Sequence, residues 1–242
     1  MTELPDDPQD RHVHSTFSDG QSSIAENIEA AEKIGLATLC LVDHVRVDTT
    51  WVPDFVSTVQ SAPHSDQLRI MYGVEAKLLD SSGRLDMPPD LPELGRVLIA
   101  DHQFPGTDGP IHPREVRRRL DDGEMTPAQV IDILVLSTAR AMLKVDRPQL
   151  AHLFSLLPKM GLDECQVEED HLRLLAATAI ATGAIVEVNE KWACPQGRVL
   201  AAFVASRVRV VTSTDSHHAR DVGVYRRVPV LLEDAARERW PA

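Results

Sequence analysis

Short apolar runs alternate with amphipathic stretches along the chain, and the alternation predicts a repeated strand–helix order. "DRHVHST" reads as a first strand, followed by a helix over "DGQSSIAENIEAAEKIG", capped at Ser22 or Ser23 and stopped at Gly35. "LATLCLVDH" is a continuous apolar run of strand length, as expected for a strand covered on both faces. A helix around 53–62 precedes the strands "LRIMYGVEAKLLD" and "RVLIADHQF", and a longer polar, helical stretch runs from 105 to about 143. Then come a strand "QLAHLFS", a helix "EEDHLRLLAATAIATG", a strand "AIVEVNE", a short helix near 197–206 and a strand "RVRVVTSTD". The segment "LEDAARERW" reads as a last helix. Seven strands with intervening helices predict an α/β fold, either a parallel barrel or a doubly wound sheet. No repeat, linker or shift of composition divides residues 1–242, so one domain is expected.

Composition narrows the class. Apolar residues make up 43% and aromatics 4% of 242 residues, an ordinary globular balance. No apolar run reaches the roughly 20 residues that span a bilayer, and the acidic start "MTELPDDPQD" does not suit a signal peptide. Cys40, Cys165 and Cys194 are odd in number and irregularly spaced, so no disulfide framework is expected and a reducing, cytoplasmic location is. The formal charge of −12 argues against nucleic acid as a partner and says less about small phosphorylated ligands, because bound cations reverse the local sign. The basic run "REVRRRL" at 114–120 has the spacing of a helix face and reads as a solvated surface first and a phosphate-facing lid second. Oligomeric state is not readable.

The chemistry lies at the strand ends. His12 and His14 end the first strand and, two residues apart, share one face. His44 ends the second, Glu75 follows the apolar part of the third, and His102 ends the fourth. His152 ends the fifth, and Asp215 and His217 the last. In a barrel the C-terminal strand ends converge on one mouth, so residues two hundred positions apart would meet there. Taken singly, each histidine could equally be a hydrogen-bonded, partly buried side chain. His64, His112, His171 and His218 fall in helices or loops and read as surface residues.

Together "DRHVHSTFSDG", "LVDH", "GVEAK", "IADH", "LAH" and "STDSHHARDVG" resemble the PHP (polymerase and histidinol phosphatase) superfamily over residues 10 to about 223. The resemblance implies a distorted (β/α)7, TIM-like barrel with a trinuclear metal site, and phosphoesterase activity of the histidinol-phosphatase kind. One ion would be held by His12, His14, Glu75 and Asp215, a second by Glu75, His102 and His152, and a third by Asp19, His44 and His217. Glu75, Asp215 and His217 are the catalytic residues implied, with Glu75 as the bridge. Asp10 and Asp43 would orient imidazoles, although a strand-end cap suits Asp43 equally. Leu153 stands where a proline is frequent after the fifth-strand histidine.

Mixed nitrogen and oxygen ligation suits Zn, Mn or Fe. Three carboxylates facing three divalent ions and a bridging hydroxide leave a pocket of about +2, suited to a phosphate dianion. Paired ions also acidify water to hydroxide near neutrality, a nucleophile for phosphorus. Lys191 and Arg198, just past the sixth strand, are candidate substrate contacts or ordinary surface charges, with Arg220 a weaker candidate. Glu187 and Asn189 share a strand face and suit a buried supporting role, and the Gly/Pro-rich segment 104–116 reads as a loop over the mouth or a plain surface connection. No leaving-group acid is evident. The expected substrate is a small phosphorylated metabolite, histidinol phosphate first and a nucleotide or sugar phosphate next. A TatD-like nuclease or amidohydrolase-type hydrolase is the competing enzyme reading, but it would not need the trio Asp19, His44 and His217. A non-catalytic PHP-type module would have lost ligands, and all nine positions are filled.

Overall fold

The computed structural model describes residues 7–238 and Trp240. Seven parallel strands form the frame: β1 (Gln9–Val13), β2 (Thr38–Val45), β3 (Arg69–Leu78), β4 (Arg96–Ala100), β5 (Pro148–Ala151), β6 (Ile185–Asn189) and β7 (Arg209–Ser213). Their order in the sheet is their order in the chain, and the sheet curls into a nearly closed barrel with one unsealed seam, between β1 and β7. Among the described residues the α-helices are α1 (Ile24–Lys33), α2 (Val52–Ser61), α3 (Pro113–Asp121), α4 (Pro127–Met142), α5 (Leu157–Met160), α6 (Glu169–Thr182), α7 (Gly197–Ala205) and α8 (Val228–Arg237). Ser23, not Ser22, caps α1, closing a reciprocal capping box with Glu26. The helical 105–143 stretch is in fact a two-residue-per-arm hairpin (Phe104–Pro105 with Pro110–Ile111) followed by α3 and α4. None of the three cysteines is paired, and no described helix is long and apolar enough to cross a membrane.

The period-two alternation of the strands decides what faces the mouth. In β2, Leu39, Leu41 and Val45 pack outward under the helices, while Cys40 and Val42 fill the barrel interior and His44 continues their row. In β4, Val97 and Ile99 face outward and Leu98 and Ala100 inward, so His102 again falls on the inner row and Asp101 on the outer. β1 reaches the same end by an irregularity. Its register jumps between the pairs Asp10–Leu39 and Val13–Leu41, so Arg11 and His12 together oppose Cys40. Arg11 points inward, its Nη1 lying 2.9 Å from Met71 Sδ.

Asp10 corrects an expectation. Its carboxylate accepts hydrogen bonds from Thr214 N at 2.9 Å, Thr214 Oγ1 at 2.5 Å, Gly223 N at 2.9 Å and His12 N at 3.3 Å, and from no imidazole. It stitches the seam where backbone pairing fails. Around it β1 and β7 share one isolated bridge, Val13–Ser216, with His14 N donating to Ser216 O at 2.8 Å. Asp43 likewise orients no ring. It accepts from Ser15 N at 3.0 Å, Ser15 Oγ at 2.6 Å and Ser18 N at 3.2 Å, pinning the turn that presents Asp19. Gly20 closes that turn so tightly that a Cβ there would lie 2.7 Å from His14 C and Ser15 N.

Candidate metal centre

All six strand-end histidines and all three carboxylates meet at the C-terminal mouth of the barrel. Glu75, 1% exposed, stands at the middle. Its Oε1 is 3.1 Å from His102 Nε2 and 3.0 Å from His152 Nε2. Its Oε2 is 2.8 Å from His44 Nδ1 and 3.4 Å from both His12 Nε2 and His14 Nε2. Asp215 Oδ1 lies 3.4 Å from His14 Nε2, and Asp19 Oδ1 lies 3.5 Å from His44 Nε2 and 3.2 Å from His217 Nε2. Three sets of donor atoms are close enough to share an ion: His12, His14 and Asp215; His44, Glu75 and His102; and His14, Asp19, His44 and His217. The grouping places His44 with Glu75 as well as with Asp19, and it leaves His152 outside all three sets, its Nε2 3.0 Å from Glu75.

His152 reaches the mouth against the strand alternation. Leu150 packs outward and Ala151 inward, so strict alternation would send His152 out of the barrel. A positive φ of 32° at His152 breaks the alternation and brings its ring round to the centre.

The arrangement fits cations. His12 Nε2 and His14 Nε2 face each other at 3.0 Å, and Glu75 Oε2 and His14 Nδ1 are buried with no hydrogen-bond partner. Lone pairs aimed at a common point are stable only around positive charge. Without an ion, protons must supply it. Burial alone would lower His152, yet Asp101 and Glu75 lift it to about 10. Burial likewise opposes the shift at His12, but Glu187, Glu75 and Asp215 hold its imidazole well above the usual range. Burial would raise Glu75, and His12 and His102 beside it keep it well below ordinary glutamate. At His14 burial prevails and pushes the ring down to about 4, the neutral form a metal requires.

Outside this ring, a second set of groups fixes orientation. Glu187, buried as expected, lies 3.1 Å from His12 Nδ1 and accepts from His152 N at 2.7 Å, Gln149 Nε2 at 2.9 Å and Asn189 Nδ2 at 2.8 Å. Asp101 was missed by sequence reasoning. It sits 3.2 Å from His152 Nδ1 and accepts from Ser155 Oγ at 2.8 Å. Its signal was the repeated Asp-His dipeptide of "LVDH" and "IADH". Trp192 was also missed: its Nε1 donates to Asp215 Oδ2 at 2.8 Å.

The centre opens into a cavity of about 690 Å³ whose walls include Phe17, Arg46, Trp51 and Lys191. Lys191 Nζ donates to Asp215 Oδ1 at 3.1 Å and lies 3.3 Å from His217 Nδ1, so it stands at the mouth as expected. Arg198 does not. Its Nη1 donates to Val167 O at 2.7 Å, and it lines a separate cleft with Glu164 and Cys165. The helix start that carries it turns away from the mouth, and short sequence distance from Lys191 conceals that turn. Arg220 pairs with Asp221 at 3.8 Å on the surface. Of the remaining histidines, His171 pairs with Asp132 at 2.7 Å, and His64 and His112 are exposed.

The Arg198 cleft contains a titrating group. Burial raises Glu164 to about 8, and its Oε2 accepts from Gln196 N at 2.8 Å. Its folded value lies above the ordinary 4.5, so its contribution to stability is full below 4.5 and is lost as the pH climbs through about 8. Glu164→Gln should therefore match the parent near pH 5 and exceed its stability by roughly 3–5 kcal/mol at pH 9, measured by urea unfolding.

A model of the PHP domain matches residues 10–199. The chain belongs to the PHP family. No curated protein matches it by sequence alone. Among solved structures, the PHP chain is similar to a histidinol phosphate phosphatase from Lactococcus lactis, crystallised with zinc, L-histidinol and phosphate. The TM-score is 0.68 at 16% identity, covering 95% of this chain and 94% of the other. A histidinol phosphatase candidate from Listeria monocytogenes gives 0.59 at 14% identity, covering 89% and 97%. At these identities the likeness is one of fold.

Proposed function

We propose that this PHP protein is a metal-dependent phosphoesterase that hydrolyses a small phosphate monoester. The observation that carries the reading is the convergence of six imidazoles and three carboxylates at the barrel mouth, five of the imidazoles on Glu75 itself, beside an open cavity. PHP membership supports it, as does the similar fold of the Lactococcus lactis enzyme, which holds zinc, L-histidinol and phosphate. We assign His12, His14, Asp19, His44, Glu75, His102, His152, Asp215 and His217 as ligands of up to three divalent ions, Zn, Mn or Fe. When bound, such ions supply an acidified water and the positive charge that a phosphate dianion needs.

The chain's own groups do the rest. Glu187 and Asp101 hold the rings of His12 and His152 with their Nδ1 atoms turned outward, leaving Nε2 for the centre. Trp192 fixes one oxygen of Asp215 and leaves the other to the site. Lys191, 43% exposed at the mouth and paired with Asp215 at 3.1 Å, would turn its remaining N–H groups to a phosphoryl oxygen as charge develops on it. Histidinol phosphate, nucleotides and sugar phosphates are the substrates to try first.

The test is release of inorganic phosphate from p-nitrophenyl phosphate and a panel of phosphorylated metabolites with added Mn or Zn. Activity lost on chelation and restored by metal supports the reading, and no release under any condition overturns it. Elemental analysis of the purified protein should find two or three transition ions per chain. Lys191→Met should lower kcat/KM for p-nitrophenyl phosphate about tenfold, the usual worth of one charge-assisted contact. Unchanged kinetics would return Lys191 to the surface.

A further inference from the structure

His102 is a wall shared by two spaces. One is the main cavity, and the other is a smaller cleft of about 340 Å³ lined also by Gln103, His112, Pro113, Arg114 and Lys159. No carboxylate lines this second cleft. That absence is notable in a chain with 37 acidic residues against 25 lysines and arginines.

Its cations are also unneutralised. One turn further along α3, Arg118 pairs with Glu115, Asp122 and Glu124, and Arg119 pairs with Glu115. Arg117 pairs with Asp121. Arg114, on the same helix, forms no ion pair among the described residues, and neither does Lys159. Lys159 Nζ instead rests 3.9 Å above the Trp192 ring, a contact that leaves its N–H groups free for another acceptor. The two come from separate elements, α3 and α5, that pack side by side. His112 Nδ1 accepts from Arg114 N at 3.2 Å and fixes where α3 begins. The expected loop over the mouth, 104–116, is thus the hairpin and helix start that bring His112 and Arg114 beside His102.

Among the described residues the main cavity offers an amine no unassigned carboxylate. Of its carboxylates, Asp19, Glu75 and Asp215 belong to the metal set, and Asp86 is paired with Lys77 at 3.6 Å. We propose that the His112–Arg114–Lys159 cleft is a subsite for a second anionic group, phosphate or carboxylate, on the same substrate whose monoester is cleaved beside His102. This inference rests on the phosphatase reading above and deepens it. Within that reading the subsite favours bisphosphates and phosphorylated acids. Arginine and lysine in a carboxylate-free cleft supply charge-assisted hydrogen bonds to either anion.

Matched competitors test it against p-nitrophenyl phosphate hydrolysis by the metal-loaded enzyme. Fructose 1,6-bisphosphate is compared with fructose 6-phosphate, and 3-phosphoglycerate with glycerol 3-phosphate, as ratios of inhibition constants. The wild type should prefer the doubly anionic member of at least one pair by about tenfold. The pair that responds tells a phosphate subsite from a carboxylate one. The ratio should collapse toward one in Arg114→Gln/Lys159→Gln and persist in Arg114→Lys/Lys159→Arg, and both positions are exposed, so folding is not at stake. A wild-type ratio near one in both pairs, or a preference that survives the double glutamine variant, overturns the subsite while p-nitrophenyl phosphate is still turned over. No turnover of p-nitrophenyl phosphate by the loaded enzyme would instead overturn the phosphatase reading beneath it.

Discussion

Glu75→Gln should lower phosphomonoester hydrolysis by about a thousandfold or more, on the order of 4 kcal/mol in the barrier. Five imidazole nitrogens lie within 3.4 Å of its two oxygens, so one side chain touches every part of the centre. Glutamine keeps the shape, removes the charge, and replaces one acceptor oxygen with an NH₂ that must point at an imidazole nitrogen. A bridging carboxylate has no neutral substitute, so at least one ion should leave with it. The measurements are kcat on p-nitrophenyl phosphate, metal content by elemental analysis, and circular dichroism to show that the barrel persists. Activity within tenfold of the parent, at full metal occupancy, would refute a bridging place for Glu75.

The largest stability effect belongs to Asp10. Asp10→Ala strips the acceptor from Thr214 N, Thr214 Oγ1, Gly223 N and His12 N, all at the one place where the barrel lacks a ladder. Each donor left buried costs about 1–3 kcal/mol, and some will find water, so a loss of roughly 3–5 kcal/mol is expected. Asp10→Asn keeps one good acceptor and should cost about half as much. Urea denaturation with both variants checks the order. A loss below 1 kcal/mol for the alanine variant would mean that β1 and β7 are held by other contacts, such as Thr212 Oγ1 donating to Gln9 O at 3.1 Å.

Much of this architecture could be read beforehand because a covered parallel strand announces itself by an apolar run, and a polar side chain at its end then stands out. "LCLVDH" and "LIADH" show both properties, so His44 and His102 were visible from one chain. Asp101 shares that dipeptide but faces the outer row, where polar groups draw no notice. What escaped notice depended on geometry that no local pattern encodes. Asp10 and Thr214 are neighbours only because the sheet curls, and the role of Asp10 is set by the gap that curling leaves. Arg198 stands seven residues beyond Lys191, yet α7 carries it to another face. His152 would be misdirected by alternation alone, because its inward aim depends on a positive φ that the letters around it do not declare.

Because donors to the centre come from both ends of an in-order barrel, His12 is made early and His217 late. A chain emerging from the ribosome therefore carries five of the histidines and two of the carboxylates once residue 152 is made, with no completed cage to hold them. Only when β7 arrives and Thr214 engages Asp10 do Asp215 and His217 reach their partners. Ligation of the proposed ions and the final step of folding would thus coincide, and a product cut short before residue 209 would leave the barrel open and the donor set incomplete.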